Sequence, residues 1–352
     1  MISILLAACK GNSPKSVFDF PANGKPIYAL KSTKTYLPEL LSPYKIEIKQ
    51  PFLIIFEDGS IPFEKPPMHL VDLNTLAYRV PKGVNGYGPN EITNAQLFDT
   101  GFSDSTFWVN SSMSKRMSEF SLYDSSLLSI NEYRQPEDMY TAYQMLMITD
   151  STFMCLTTTD NYKLVEYGAN GKRITGYGKW EPIPNRPELT NFMLTSINGG
   201  WFKKDSWNNL FVKAMAYRDR IEIFDYNSKQ FITVDGPRLD IPPFQIGGSG
   251  AGAIAAYSRE VKFGHRDIAF GKQFIYDLYG GFSETEYRQT SRLAETIYIL
   301  TKKGELVAKL DLDRSLRSIA VDESLGKIYG ITTDEDPGIA VFDIPKELLN
   351  KN

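Results

Sequence analysis

A two-part unit that recurs six times along the chain constrains the fold more than any other feature of this sequence. Its first part is a polar turn, often with Asp, followed by a short strand that carries a bulky apolar pair. Four copies keep the Asp and the last two lack it: SDSTFWV (103–109), TDSTFMC (149–155), KDSWNNLFV (204–212), VDESLGKIYG (321–330), IKQPFLII (48–55) and FGKQFIY (270–276). Such regular spacing of short strands and turns is typical of a repeat architecture.

The second part of the unit is an alternating strand, a tight turn and another strand. Alternation predicts that each of these strands has one buried face and one wetter face. The sixth copy stops before its second strand, and the copies are HLVDLNTLAYRV (69–80), SEFSLYDSSLLSI (118–130), KLVEYGANGKRIT (163–175), RIEIFDYNSKQFIT (220–233), TIYILTKKGELVAKL (296–310) and GIAVFDI (338–344).

Six such units predict an all-β fold, a six-bladed β-propeller with four antiparallel strands per blade. We expect the ring to be closed by an N-terminal strand, either Ser16–Phe20 or Pro26–Lys31, which supplies the missing last strand and removes an exposed edge. The propeller domain is expected to span 16–345, with 346–352 as a C-terminal tail. The rival fold, a large β-sandwich, does not require the same unit six times.

Three segments give the chain a resemblance to a known family. They are GYGPNE (86–91), FIYDLYGG (274–281) and the closing IAVDESLGKIYGITTDEDPGIAVFDI (319–344). In these segments the chain resembles TolB-like six-bladed propellers, many of which are cell-envelope lipoproteins. The resemblance covers nearly the whole chain after the first residues. It implies the propeller fold but no particular activity.

Cys9 is a candidate lipid attachment point. The apolar or small residues Ile2–Ala8 are typical of the end of a signal peptide, and Leu6-Ala7-Ala8-Cys9 resembles a bacterial lipobox. We therefore interpret 1–15 as a truncated lipoprotein signal and polar tether, and expect a basic segment to be encoded upstream. The alternatives are an N-terminal strand with a chance cysteine, or a Cys9–Cys155 disulfide, which the strand-like surroundings of Cys155 disfavour.

Composition limits the classes of partner that the protein is expected to bind. The net charge of −3 offers no basic face for nucleic acid, and no run of 18 apolar residues could span a membrane. Membrane contact is therefore expected only through a lipid anchor. We expect a monomer on the outer membrane or in the periplasm of a Gram-negative cell envelope.

Long connections are predicted to lie on one face of the propeller. Antiparallel strands place the A–B and C–D turns on one face and the B–C and D–A connections on the other. The sequence makes the second set long, and long loops on a rigid scaffold commonly carry function. Their aromatic, charged and amide residues are the candidate ligand-binding set: Tyr87, Asn90, Glu91, Trp180, Arg186, Tyr257, Arg259, Tyr279 and Arg288. Flat aromatic rings with Arg suit a glycan or an envelope protein partner.

The sequence offers little for catalysis. His69 and His265 are the only histidines, and no catalytic residue is predicted. In the enzyme alternative, His265 at the start of a strand is the candidate acid or base, with Asp267 beside it. The glycine-rich 247–252 lacks the βαβ context of a nucleotide loop, although a short helix at Ala253–Val261 is possible from the sequence. DEDPG (334–338) is interpreted as a turn rather than a calcium loop. No cofactor or metal is predicted.

Two functions remain. The first is a non-catalytic envelope lipoprotein that binds a glycan or a protein partner on the long-loop face. The alternative is a propeller hydrolase or lyase acting on glycan or lactone substrates through His265 or a metal in the channel.

Overall fold

Six sheets of four antiparallel strands, two of them extended by a fifth, parallel strand, form a propeller in this computed structural model and are called blades 1 to 6 here. The structure describes residues 15–17 and 24–349, with backbone only at 15–17 and at Ala251. Within each blade the four strands A to D follow one another outward from the axis, and each pairs antiparallel with the next. The predicted fold is therefore confirmed.

Blades 1 to 5 each take their four strands consecutively from the chain. Blade 1 contains β4 (Pro43–Lys49), β5 (Phe52–Glu57), β6 (Met68–Asp72) and β7 (Tyr78–Lys82). Blade 2 contains β8 (Leu97–Asp99), β9 (Thr106–Ser111), β10 (Arg116–Ser121) and β11 (Asn131–Arg134). Blade 3 contains β12 (Ala142–Thr149), β13 (Thr152–Thr157), β14 (Tyr162–Gly168) and β15 (Arg173–Lys179). Blade 4 contains β16 (Gly200–Asp205), β17 (Leu210–Met215), β18 (Arg220–Asp225) and β19 (Gln230–Asp235). Blade 5 contains β22 (His265–Phe270), β23 (Phe274–Tyr279), β24 (Thr296–Thr301) and β25 (Leu306–Leu312).

Blade 6 joins the two ends of the described chain. It contains β26 (Leu316–Asp322), β27 (Lys327–Thr332) and β28 (Ile339–Asp343), and its outer strand is β3 (Ser32–Thr35). β3 pairs antiparallel with β28, so that Thr35 faces Ile339 and Ser32 faces Phe342. This pairing closes the ring and covers the edge that β28 would otherwise expose.

The closing strand is not one of the two segments predicted from the sequence. Pro26–Lys31 contains β2 (Ile27–Leu30), which runs parallel to β25 as a fifth strand of blade 5. The other segment overlaps β1 (Lys15–Val17), which runs parallel to β19 of blade 4. The prediction missed β3 because STKT is polar and short, and a rim strand buries too little surface to need an apolar pattern.

Most inner strands are buried on both faces, because each blade packs between two neighbours. In β5, Leu53 and Ile55 pack in the cluster shared with blade 6, whereas Ile54 and Phe56 pack in the cluster shared with blade 2. The expectation of one wetter face concerned the strands in the second part of the unit. It is wrong for β6, whose Leu70 and Val71 pack in the clusters shared with blade 2 and with blade 6, whereas β25 alternates buried and partly buried residues as predicted. Alternation separates two apolar interfaces, as sheet geometry requires of side chains that point in opposite directions.

Charged side chains from the innermost strands meet near the axis. Lys203 Nζ of blade 4 lies 2.8 Å from Glu47 Oε1 of blade 1 and 2.8 Å from Asp267 Oδ1 of blade 5. Ser318 Oγ of blade 6 donates to Asp267 Oδ2 at 2.5 Å and accepts from the backbone N–H of Ile46. This network ties four blades together across the centre.

The remaining elements lie outside the blades. They are the hairpin β20 (Phe244–Gly247) and β21 (Ile254–Tyr257), the helices α1 (Asn191–Ile197), α2 (Glu284–Thr290) and α3 (Lys346–Leu349), and two 3-10 turns at Glu137–Met139 and Gly250–Gly252. The helix considered at Ala253–Val261 is wrong, since β21 pairs with β20 there. The described part of the C-terminal tail packs on the propeller, because Leu348 is fully buried in the cluster shared by blades 5 and 6.

Removal of β3 should open the ring. A chain that begins at Ser32 keeps β3, whereas one that begins at Tyr36 leaves the edge of β28 unpaired. We expect the shorter chain to unfold at lower denaturant concentration and to associate, because an exposed edge is a template for pairing. Urea denaturation and analytical ultracentrifugation of the two chains measure this. Equal midpoints and two monomers would show that closure contributes nothing.

Candidate functional site

The long connections lie on one face, as predicted. They are the B–C and D–A connections 58–67, 83–96, 180–199, 236–264 and 280–295. The opposite face carries mainly short turns such as 50–51, 150–151, 226–229, 271–273 and 302–305, with 122–130 of blade 2 the longest. The former is called the long-loop face and the latter the tight-turn face below.

A continuous stack of aromatic rings and guanidinium groups holds several long loops together. Tyr257 of the hairpin stacks on Tyr217 with ring centroids 4.2 Å apart, and Tyr217 packs on Phe263 at 5.5 Å. The Arg186 guanidinium lies 4.4 Å from the ring centroid of Phe244 at the start of the same hairpin. These contacts fix the hairpin against the connection between blades 3 and 4.

That connection and the adjoining part of blade 3 line an open cavity of about 360 Å³ at the rim of blade 3. This volume is near the lower end of the range of about 300 to 1,000 Å³ that is typical of small-molecule pockets. Its walls combine aromatic, amide, cationic and aliphatic side chains: Asn161, Tyr162, Lys179, Trp180, Pro182, Ile183, Arg186, Pro187, Leu189, Asn191 and Leu194. It is called the rim cavity below.

Backbone contacts position Trp180 in the wall of the rim cavity. β15 ends at Lys179, and the backbone N–H of Trp180 donates to the carbonyl of Asn161 at 3.3 Å. The indole Nε1–H donates to the carbonyl of Asp160 at 3.2 Å. With its polar atom satisfied, the ring presents apolar surface to the cavity and to the protein behind it.

Lys213 lies behind Trp180 as a buried cation. Its side chain is on β17, its Nζ is 5.2 Å from the centroid of the Trp180 ring, and it has no hydrogen-bond partner among the described residues. Desolvation lowers the pKa of Lys213 to about 8, and nearby Glu222 offsets this only in part.

The carboxylate nearest to Lys213 is already paired. Glu222 Oε1 lies 2.5 Å from Lys163 Nζ, which also approaches Glu181 Oε1 at 3.7 Å. Glu181 in turn accepts from Arg220 at 2.8 Å. Lys213 is therefore the cation of this group without a close anion.

Of the predicted ligand-binding residues, Trp180 and Arg186 share the rim cavity. Tyr257 contributes to the stack beside it, with its hydroxyl donating to the carbonyl of Ile197 at 3.5 Å. Arg259 and Arg288 both approach Glu284 on α2, at 3.6 and 2.6 Å, and remain largely exposed.

The other predicted residues lie elsewhere. In the connection between blades 1 and 2, Glu91 Oε2 accepts from the backbone N–H of Gly88, and the N–H of Asn90 donates to Glu132, so both hold the loop. Tyr87 beside them is 62% exposed. The loop assignment of Tyr279 is wrong, since it ends β23 and its hydroxyl donates to Asp219 Oδ2 at 2.8 Å in the core.

His265 and Asp267 begin β22 but do not face each other. His265 Nδ1 is 2.8 Å from Asp277 Oδ1, both side chains are fully buried, and burial raises the pKa of Asp277. His265 Nε2 is also buried and has no partner in the described part of the chain. Asp267 belongs to the axial network, and Cys155 is a buried free thiol whose pKa burial raises.

The sequence did not single out Lys213 or Asn161 as site residues. A lysine in the centre of LFVKAM is a sign of a buried charge. Its neighbours Lys163 and Glu222 come from other strands, so no local pattern could reveal them.

Over residues 15–17 and 24–349, no three His, Cys, Asp or Glu side chains cluster as metal ligands, and none of the helices there is long and apolar enough to cross a membrane. Cys9 lies outside the described residues.

The geometry defines a six-bladed propeller with a loop-built cavity on one face. The sequence pattern of the family described as TolB-like 6-blade propeller-like matches residues 19–324. The chain therefore belongs to that family.

Solved structures share the fold at low identity. A member of the DUF4221 family from Bacteroides vulgatus is 10% identical, with a TM-score of 0.58 over 89% of this chain and 98% of its own. A protein described as exported, from Bacteroides fragilis, is also 10% identical, with a TM-score of 0.55 over 93% of this chain and 97% of its own. No curated protein matches the sequence significantly.

Replacement of Lys213 should stabilise the protein in a pH-dependent way. The pKa of Lys213 falls from 10.5 to about 8 on folding, so the folded state carries a penalty that is fully present below pH 8 and disappears between pH 8 and 10.5. Lys213→Met should therefore raise the free energy of unfolding at pH 7 by about 1 to 3 kcal/mol.

Urea denaturation at pH 7, 8.5 and 10 measures this difference. The gain should shrink as the pH rises, and Lys303→Met on the tight-turn face should show no such trend. A gain that is constant with pH, or a loss at pH 7, would contradict the assignment of Lys213 as an unpaired buried cation.

Proposed function

We propose that this protein is a non-catalytic binding propeller of the bacterial cell envelope, and that its rim cavity holds a saccharide. The observation that carries the proposal is the cavity of about 360 Å³ on the long-loop face, which contains both Trp180 and Arg186. Two residues selected from the sequence for their chemistry thus contribute to one concave surface. A protein partner on the same face is the other outcome that the tests allow.

The wall chemistry favours a sugar over a flat protein contact. Trp180 and Tyr162 offer aromatic surface for the apolar face of a ring, and Asn161 and Asn191 offer amide groups for hydroxyls. Asn191 Nδ2 already donates to Asn161 Oδ1 at 2.6 Å, which orients both amides. The wall of the rim cavity is about equally polar and apolar, as a sugar with hydroxyls on its edge and an apolar ring face requires.

Binding without turnover fits the same wall. The residues that line the rim cavity include no histidine, cysteine or carboxylate, and their titratable side chains are Tyr162, Lys179 and Arg186. His265, the candidate of the hydrolase or lyase alternative, has no exposed surface. No observation favours that alternative.

An envelope location is part of the proposal. It is supported by the lipobox-like Leu6–Cys9, by membership of the TolB-like family and by the likeness to the B. fragilis protein described as exported. We place the protein as a lipid-anchored monomer on the outer membrane or in the periplasm of a Gram-negative bacterium.

A glycan array tests the binding function. We expect wild-type protein to bind at least one saccharide and Trp180→Ala to lose about 30-fold in affinity, which corresponds to the 2 kcal/mol of a central aromatic contact. Lys303→Ala on the tight-turn face is the matched control. If Lys303→Ala lost binding and Trp180→Ala retained it, the site would lie on the tight-turn face and the proposal would be wrong. Turnover of a saccharide that disappears in His265→Ala would show that the protein is an enzyme instead.

The anchor is tested by fractionation. When expressed with its native upstream segment, wild-type protein should be found with membranes, because an acylated Cys9 carries it there. Cys9→Ser should be soluble after lysis and high-salt washing. If the variant still fractionates entirely with membranes, the anchor assignment is wrong.

A further inference from the structure

We propose that the saccharide in the rim cavity is acidic, and that Lys213 is the positioning residue that selects its carboxylate. This inference rests on the proposed function, since it names the class of ligand for the same cavity. It goes beyond that function because the proposed function specifies a saccharide but not its charge.

The cavity wall is cationic. Of the described residues that line it, Lys179 and Arg186 carry positive charge and none carries negative charge. Lys179 is exposed at the end of β15, and its ammonium forms no ion pair with any described residue. Arg186 forms an ion pair through its Nε with Glu188, which lies outside the wall. Only part of its guanidinium group is therefore available to a ligand. The wall therefore favours an anion over a neutral group.

Lys213 adds a third cation behind the wall. It is 3% exposed, and its ammonium lacks a hydrogen-bond partner in the described structure. It lies near the Trp180 ring of the cavity wall, whose electron-rich face attracts a cation. A buried charge without an anion is unfavourable, and a ligand carboxylate supplies the missing anion.

The ammonium can act without touching the ligand. Trp180 separates Lys213 from the cavity, and a low-dielectric ring between two opposite charges screens them far less than water does. A sugar stacked at Trp180 would also displace water from the wall and strengthen this attraction. Trp180 thus provides the surface for the sugar, and Lys213 provides the preference for its charge.

The charges around Lys213 determine how pH changes that preference. Glu222 on β18 and Lys163 on β14 act on it directly, and Glu181 and Arg220 are linked to Lys163 through further ion pairs. These four side chains form ion pairs with one another: Lys163 with Glu222, and Arg220 with Glu181. Lys213 therefore loses its proton as the pH rises through about 8.

Calorimetry with matched ligands tests the inference. The full-length protein is titrated with glucuronic acid, galacturonic acid and N-acetylneuraminic acid, and each acid is compared with its own methyl ester. We expect at least one acid to bind at pH 7 at least tenfold tighter than its ester. Lys213→Met should reduce that ratio to near one while the ester binds as before, and Lys179→Met, which is exposed and safe for folding, should reduce it several-fold.

The pH profile separates a charge effect from a packing effect. The affinity of the wild type for the acid should fall between pH 7 and 9, whereas that of Lys213→Met should be flat over the same range. Lys303→Met should behave as wild type throughout, and urea denaturation confirms that each variant is folded.

Other outcomes overturn the inference in distinguishable ways. Equal binding of acid and ester that still depends on Trp180 would leave the saccharide function standing and remove the role of Lys213. Lys213-dependent binding of an acidic peptide, with no sugar bound, would replace the ligand class. Absence of binding by all acids, esters and neutral sugars would overturn both the inference and the proposed function.

Discussion

The pairing of β3 with β28 is the constraint on which the rest of the structure depends. It joins Ser32–Thr35 to Ile339–Asp343, so the polypeptide closes on itself across more than 300 residues of sequence. Once the ring is closed, every inner strand lies between two sheets, and alternate side chains fill two different interfaces. The axial contact of Lys203 with Glu47 then links blades 4 and 1 on opposite sides of the centre, and its contact with Asp267 links blade 4 to blade 5. A ring held both at its seam and at its axis is a rigid base for long loops.

The loops on that base differ in what holds them. The hairpin β20–β21 is fixed by stacked rings, and the loop around Glu91 by its own carboxylate, so most of the aromatic and charged residues there stabilise loop structure. The connection between blades 3 and 4 is the exception, because it lines an open cavity and leaves Trp180 between that cavity and the buried ammonium of Lys213. An unpaired charge at this place costs stability, and such a cost is common where a protein binds a ligand.

The sequence predicted the propeller because its signals are local: a turn, an apolar strand and a tight hairpin, repeated six times. It also predicted closure, since GIAVFDI has no following strand. It did not identify β3, because STKT at the rim has no apolar pattern. It also assigned Tyr279 to a loop, because β23 extends further than its apolar start suggested. Trp180 and Arg186 were found from loop position and residue type. Lys213 was not, because its isolation depends on Lys163 and Glu222, which only the fold brings near.

The most direct test of a rigid propeller with an acidic-sugar site in the rim cavity is amide hydrogen exchange of the full-length protein with and without saturating galacturonic acid. A rigid ring with its binding site in the rim cavity predicts slower exchange at amides of 176–198 and in β17. It predicts no change in the tight-turn face, including 50–51, 271–273 and 302–305. Protection confined to those turns, or no change anywhere under conditions where the acid is saturating, would contradict the account.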